Sequence, residues 1–124
     1  MIVLDARVLV ALTDETNPSH AAARRILSSA DTFAMTALSG VDLMAYPMPT
    51  TAGTWADLLR DFAVEVVPIE AADMGAIAAT KRQSGLPMPD ALTLWLARQR
   101  GAAVATFDAP LAAMAKQYGL AVHS

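Results

Sequence analysis

Residues 2–12, Ile2-Val3-Leu4-Asp5-Ala6-Arg7-Val8-Leu9-Val10-Ala11-Leu12, decide how this chain is read. Three apolar residues stopped by an aspartate suit a buried strand, and the apolar run that resumes at Val8 has helical length. The same order recurs further on. Phe33-Ala34-Met35-Thr36 is a second short strand, followed by a helical start at Ser39 that carries Asp42. Val104-Ala105-Thr106-Phe107 is a fourth strand and leads to Asp108, while Asp90 follows Pro89 and opens a helix reaching Gly101, which stands where a C-terminal cap belongs.

The segments between them complete the pattern. Asn17-Pro18 supplies an N-cap and a first-turn proline for a helix through Ala21, Ile26 and Leu27, with Arg24 and Arg25 facing solvent. Trp55, Leu58, Leu59 and Phe62 recur at helical spacing, and residues 64–69 read as a third strand. A helix is expected from about Ala71 to Gln83, ended by Gly85, another from Leu111 to Tyr118, ended by Gly119, and a fifth strand over Leu120-Ala121-Val122. Pro47 through Gly53 is the least regular stretch.

Strands that alternate with helices imply a parallel sheet covered on both faces, with right-handed crossovers. Ligands of such sheets gather beyond the carboxyl ends of the strands. Asp5, Asp42, Asp90 and Asp108 are therefore expected near one edge. At about 5 Å and an effective dielectric of about 20, each like-charge pair costs on the order of 3 kcal/mol, so the group calls for a cation.

Composition narrows the class. A chain of 124 residues has room for one domain with one core, over residues 1–124. With 55% hydrophobic and 17% charged residues, disorder is disfavoured and an additional interface between proteins is favoured. The absence of cysteine excludes disulfides and thiolate zinc sites and suits a reducing compartment, so a cytoplasmic location is expected. No basic export segment or membrane-length apolar run is read in the chain. A net charge of −3 argues against coating nucleic acid by bulk electrostatics, yet permits local basic patches beside a metal-neutralised pocket.

Taken together, Ile2 to Leu12, Thr36-Ala37-Leu38-Ser39-Gly40-Val41-Asp42, Leu86-Pro87-Met88-Pro89-Asp90-Ala91 and Thr106-Phe107-Asp108 resemble the PIN-domain family, and more narrowly its VapC-type ribonuclease toxins. The likeness covers nearly the whole chain and keeps the order and spacing of the acidic segments. It implies a three-layer α/β/α PIN-like fold around a parallel sheet of about five strands. It also implies a magnesium- or manganese-dependent endoribonuclease that pairs with a small antitoxin and acts as a homodimer on RNA.

By motif position the resemblance makes Asp5, Asp90 and Asp108 metal-holding and catalytic residues, and puts Asp42 where glutamate is more usual. Thr106 matches a hydroxyl that orients a carboxylate or a metal-bound water. The chain departs from the pattern at Arg7, where PIN domains commonly carry a small hydroxyl or amide. A guanidinium there either holds the scissile phosphate or pairs with Asp5 and takes over the cation's electrostatic role. The second case gives the alternative reading, a catalytically weakened PIN-like module that binds protein or RNA.

Plainer roles compete with these. Asp5, Asp90 and Asp108 are each placed to cap a helix or turn, and Asp42 can be a solvated helical residue. Lys81, Arg82, Arg98 and Arg100 are candidate phosphate contacts, although such residues more often form a solvated face. His20 and His123 are isolated, and Trp55 and Trp95 fit core or partner packing. Leu43 to Phe62 offers an apolar surface for an antitoxin helix or tail. A phosphoacceptor α/β domain would also place aspartate after its first strand, but Asp5 has no acidic neighbour and position 7 is arginine.

Overall fold

Side-chain alternation along the strands sorts the core into two halves. In a computed structural model, residues 1–48 and 53–124 are described. The strands are β1 (Ile2–Leu4), β2 (Phe33–Thr36), β3 (Val64–Val67), β4 (Ala103–Ala105) and β5 (Val122–His123). They form one sheet in the order β3-β2-β1-β4-β5, with every pairing parallel. Ile2 and Leu4 face one half of the core with Phe33, Met35 and Ala105, while Val3, Ala34 and Val104 face the other. A period of two on a sheet buried on both sides requires this division.

Helices cover each face. On the first lie α1 (Ala6–Leu12), α2 (His20–Leu27), α3 (Ala37–Ala45) and α4 (Trp55–Asp61), which contribute Leu9, Ile26, Leu43 and Leu59. On the second lie α5 (Met74–Ser84), α6 (Met88–Arg100) and α7 (Ala109–Gln117), through Ile77, Leu94 and Leu111. The expected three layers and five parallel strands are present. No helix among the described residues is long and apolar enough to cross a membrane.

Chain order creates the functional edge. The chain lays down β1, β2 and β3 outward in one direction, then returns through α5 and α6 to place β4 on the free side of β1. The sheet thus reverses at β1/β4, and crevices in open parallel sheets form at such reversals. Asp5 follows β1 and Asp108 follows β4 by the short link Thr106-Phe107.

Several boundaries differ from the sequence reading, those of the helices through turn and cap chemistry. Helix α3 starts at Ala37, because the Thr36 hydroxyl accepts the Ser39 N–H and caps it. Helix α6 starts at Met88, with Pro89 in its first turn, so Asp90 sits inside that turn. Asn17 forms a turn by accepting the Ser19 N–H, and α2 begins only at His20. Residues 71–73 form a separate 3₁₀ turn, whose capping box at Glu70 and Asp73 precedes α5. The fourth strand ends at Ala105, and the fifth falls on Val122–His123. Part of the irregular Pro47 to Gly53 stretch, residues 49–52, lies outside the described residues.

Gly85 and Gly101 end α5 and α6 in the left-handed region, as glycines there should. Ala63 does the same work after α4 with φ of 50°, where a Cβ is unfavourable. Ala63→Gly is expected to stabilise the fold by about 0.5–1 kcal/mol, part of the local gain being lost to the freer unfolded chain. Urea denaturation checks this, and a destabilised variant contradicts it.

Candidate active site

The first and last aspartates are fixed by their own helices. Asp5 is the N-cap of α1, with its Oδ1 accepting the Arg7 backbone N–H at 3.4 Å, and its own N–H donates to the Ala105 carbonyl at 3.0 Å. Asp108 is the N-cap of α7, with Oδ2 accepting the Leu111 N–H at 3.0 Å. The capping roles foreseen for these residues are therefore real. They leave Asp5 Oδ2 and Asp108 Oδ1 turned toward a shared space.

Thr106 joins them. Its fully buried hydroxyl donates to Asp5 Oδ2 at 2.8 Å and accepts the Asp108 N–H at 3.0 Å. A single side chain thus sets the carboxylate after β1 relative to the backbone after β4. Burial excludes water that would otherwise compete for these bonds.

Asp90 comes from the opposite layer, on the first turn of α6, and Asp42 from the middle of α3. With Asp5, Arg7, Asp108, Tyr46 and Pro87 they line a cleft of about 440 Å³. Two walls of that cleft are tied together under the surface. The Thr93 hydroxyl donates to the Pro89 carbonyl at 3.2 Å, so at its 3.4 Å contact with Ser39 it must accept. Ser39 in turn accepts from Thr36 at 3.2 Å. A one-way relay of three hydroxyls connects the cap of α3 to the start of α6.

The centre of the cleft holds Arg7. Its Nη2 lies 3.5 Å from Asp5 Oδ2, 3.6 Å from Asp90 Oδ1 and 3.8 Å from Asp108 Oδ1. The guanidinium is therefore paired with three carboxylates, which is compatible with the second of the two roles expected for this residue. Partial burial works against its charge, yet Asp5, Asp90 and Asp108 raise its pKa above the ordinary arginine value. Burial first, then repulsion by Asp5 and Asp108 with a further push from Asp42, lifts Asp90 to about 6 despite the opposing effect of Arg7. One positive charge does not offset this many carboxylates.

A hard divalent cation suits this donor set, which is all oxygen and already surrounds one positive charge. The spacing is that of an arginine-centred cluster, and no three acidic or histidine side chains among the described residues stand ready to share an ion. All four aspartates line the one cleft, three of them around Arg7.

Other candidates fall away from this edge. Arg98 stacks on the Tyr118 ring at 4.1 Å, and Arg100 forms a two-pronged pair with Glu65 at 2.7 and 3.1 Å. Arg100 is a helix length from Asp90, about 15 Å by the rise per residue. A basic stripe in sequence is thus divided by the direction of α6. His20 bonds the Ala11 carbonyl through Nδ1, Trp55 donates its indole N–H to the Tyr46 carbonyl, and Trp95 is buried. The apolar surface read from Leu43 to Phe62 shrinks, because Leu43, Trp55 and Leu59 are core; among its described residues Met44 and Tyr46 are the exposed large apolar side chains, with Val41 exposed just before it.

Comparison with known proteins agrees with this architecture. No curated protein sequence matches the chain. Among solved structures, a toxin–antitoxin complex from Klebsiella pneumoniae aligns with a TM-score of 0.69 at 14% identity, covering 87% of each chain. FitAcB from Neisseria gonorrhoeae aligns at 0.66 and 20% identity, covering 100% of this chain and 97% of that one. VapC20 from Mycobacterium tuberculosis, described as a toxin that cleaves the sarcin–ricin loop, aligns at 0.61 and 16% identity over 92% and 95%. The PIN-domain family model matches residues 2–117, and the chain belongs to the PIN-domain family.

Proposed function

We propose that this chain is a single-domain, metal-dependent endoribonuclease, the toxin of a toxin–antitoxin pair acting in the cytoplasm. The observation that carries the reading is the convergence of Asp5, Asp90 and Asp108 on one cation position at the sheet reversal of a PIN-family chain. Likeness in fold to VapC20 and to a toxin–antitoxin complex supports the choice of RNA as substrate and of an antitoxin as partner. The exposed Val41 and Met44 on α3, with Tyr46 that follows it and lines the cleft, suit coverage by such a partner. A homodimer is part of the same proposal.

Asp5, Asp90 and Asp108 would hold magnesium or manganese, with Asp42 contributing from α3, one methylene shorter than glutamate. Such an ion, when bound, acidifies a water and offsets charge developing on the phosphorane and the leaving oxygen. Thr106 holds Asp5 at a fixed angle throughout, and the capping bonds of Asp5 and Asp108 keep one oxygen of each facing inward.

A second reading is favoured by the position of Arg7, which can leave the chain a PIN-like module with weakened catalysis that binds protein or RNA. The two separate cleanly. The nuclease reading expects manganese-dependent RNA cleavage that EDTA stops, and a loss of more than about 100-fold in Asp5→Asn or Asp90→Asn with unchanged circular dichroism. The weakened-module reading expects no cleavage until Arg7→Ser and Asp42→Glu are combined. Thr106→Val should lower cleavage by about 10–100-fold while keeping the fold, because it frees the Asp5 carboxylate to reorient. Unchanged turnover in that variant removes Thr106 from the site.

Asp90 also makes a stability prediction in metal-free buffer. Its folded-state pKa of about 6 exceeds the unfolded value, so its contribution is fully present below about pH 4 and is lost as pH rises through 6. Asp90→Asn is therefore expected to raise the melting temperature at pH 8 in EDTA and to have little effect near pH 4. Thermal melts across that range test it, and a gain confined to acid pH contradicts the sign.

A further inference from the structure

The cation at the centre of the cleft is supplied by the chain itself, on the first turn of a helix whose N-cap is one of the acidic residues. We propose that Arg7 is a displaceable internal counter-ion: its guanidinium occupies the position of the divalent ion, and metal entry is an exchange that drives it out toward the cleft mouth. The inference rests on the metal-dependent nuclease reading and deepens it.

Three features of the geometry carry it. The contacts of Arg7 Nη2 with Asp5, Asp90 and Asp108, at 3.5, 3.6 and 3.8 Å, all exceed the 2.7–3.2 Å of a good N–H···O bond. The side chain is held by charge and not by the forked hydrogen bonding that makes arginine–carboxylate pairs rigid. It is also 48% exposed, so it can leave without opening the core. Among the described residues, moreover, no other basic side chain pairs with these three carboxylates, so Arg7 alone stands between them and an incoming ion.

Charge and hydration set the balance of the exchange. Two charges at about 2.1 Å attract a carboxylate roughly three times as strongly as one charge at 3.6 Å. Dehydration of the ion opposes that gain, most of all for magnesium, and the guanidinium is weakly hydrated by comparison. Arg7 thus holds the carboxylates together in the absence of metal and lowers the affinity of the ion that replaces it. Two cations sharing one position exclude each other, and reciprocal coupling follows.

The test is calorimetric titration of the full chain with manganese alone. Removing the charge in Arg7→Gln is expected to lower the dissociation constant by about tenfold or more. Arg7→Lys keeps a cation in place and should stay much closer to the parent protein. Equal or weaker manganese binding by a folded Arg7→Gln overturns the proposal, and if RNA cleavage then still requires metal the nuclease reading survives.

A second measurement uses the unaltered protein, so it is independent of how the variants fold. In an NMR titration with magnesium, the Arg7 Nε–H resonance should move in step with the backbone amides of Asp5 and Asp90. A resonance that stays fixed while those amides saturate overturns the exchange. Absence of binding by every form, with either ion, ends both this inference and the metal-dependent part of the functional reading.

Discussion

Electrostatic repulsion among carboxylates at one edge of a parallel sheet is the constraint on which the rest of this structure depends. Asp5, Asp90 and Asp108 come from the two sides of the sheet, and their mutual repulsion is a cost the fold carries unless something positive stands between them. Arg7 supplies that charge from within the chain. Asp90 is lifted to about 6 by burial first and by its acidic neighbours second, with Arg7 pulling the other way.

The fold makes the gathering unavoidable. Because β4 is inserted beside β1 on the side opposite β2, the turns that follow β1 and β4 emerge next to each other. Helix α6, which carries Asp90, packs over the same central strands through Leu94, Ala91 and neighbouring side chains. The acidic residues are near each other because the backbone has no other route, and the helix caps at Asp5 and Asp108 decide which oxygen of each is left for chemistry.

Much of this was legible from residue order. Strands ending in aspartate, helices ended by glycine and the alternation of the two gave the layers and the parallel sheet, because burial on both faces leaves a plain apolar signature. The boundaries were less legible. Thr36 both ends β2 and caps α3, and whether a strand's last residue also starts a helix depends on which N–H reaches its hydroxyl, a contact set by three-dimensional placement. The same limit applied to Arg7, for which both electrostatic roles suit the sequence and only the direction of the side chain separates them. Residues 98 and 100 misled for a related reason, since sequence proximity to Asp90 ignores the length of α6 and the pull of Tyr118 and Glu65. The relay through Ser39 and Thr93 was missed altogether, there being no pattern that marks two hydroxyls 54 positions apart as partners.

That buried relay has a bearing on how the cleft behaves mechanically. The hydroxyls of Thr36, Ser39 and Thr93 each donate toward the next, and the last donates to a backbone carbonyl one residue before Asp90. The jaw bearing Asp42 is thereby latched to the jaw bearing Asp90 at their base. The floor of the opening is thus built from interior hydroxyls, so a change in core packing beneath α3 or α6 reaches the distance between their acidic side chains.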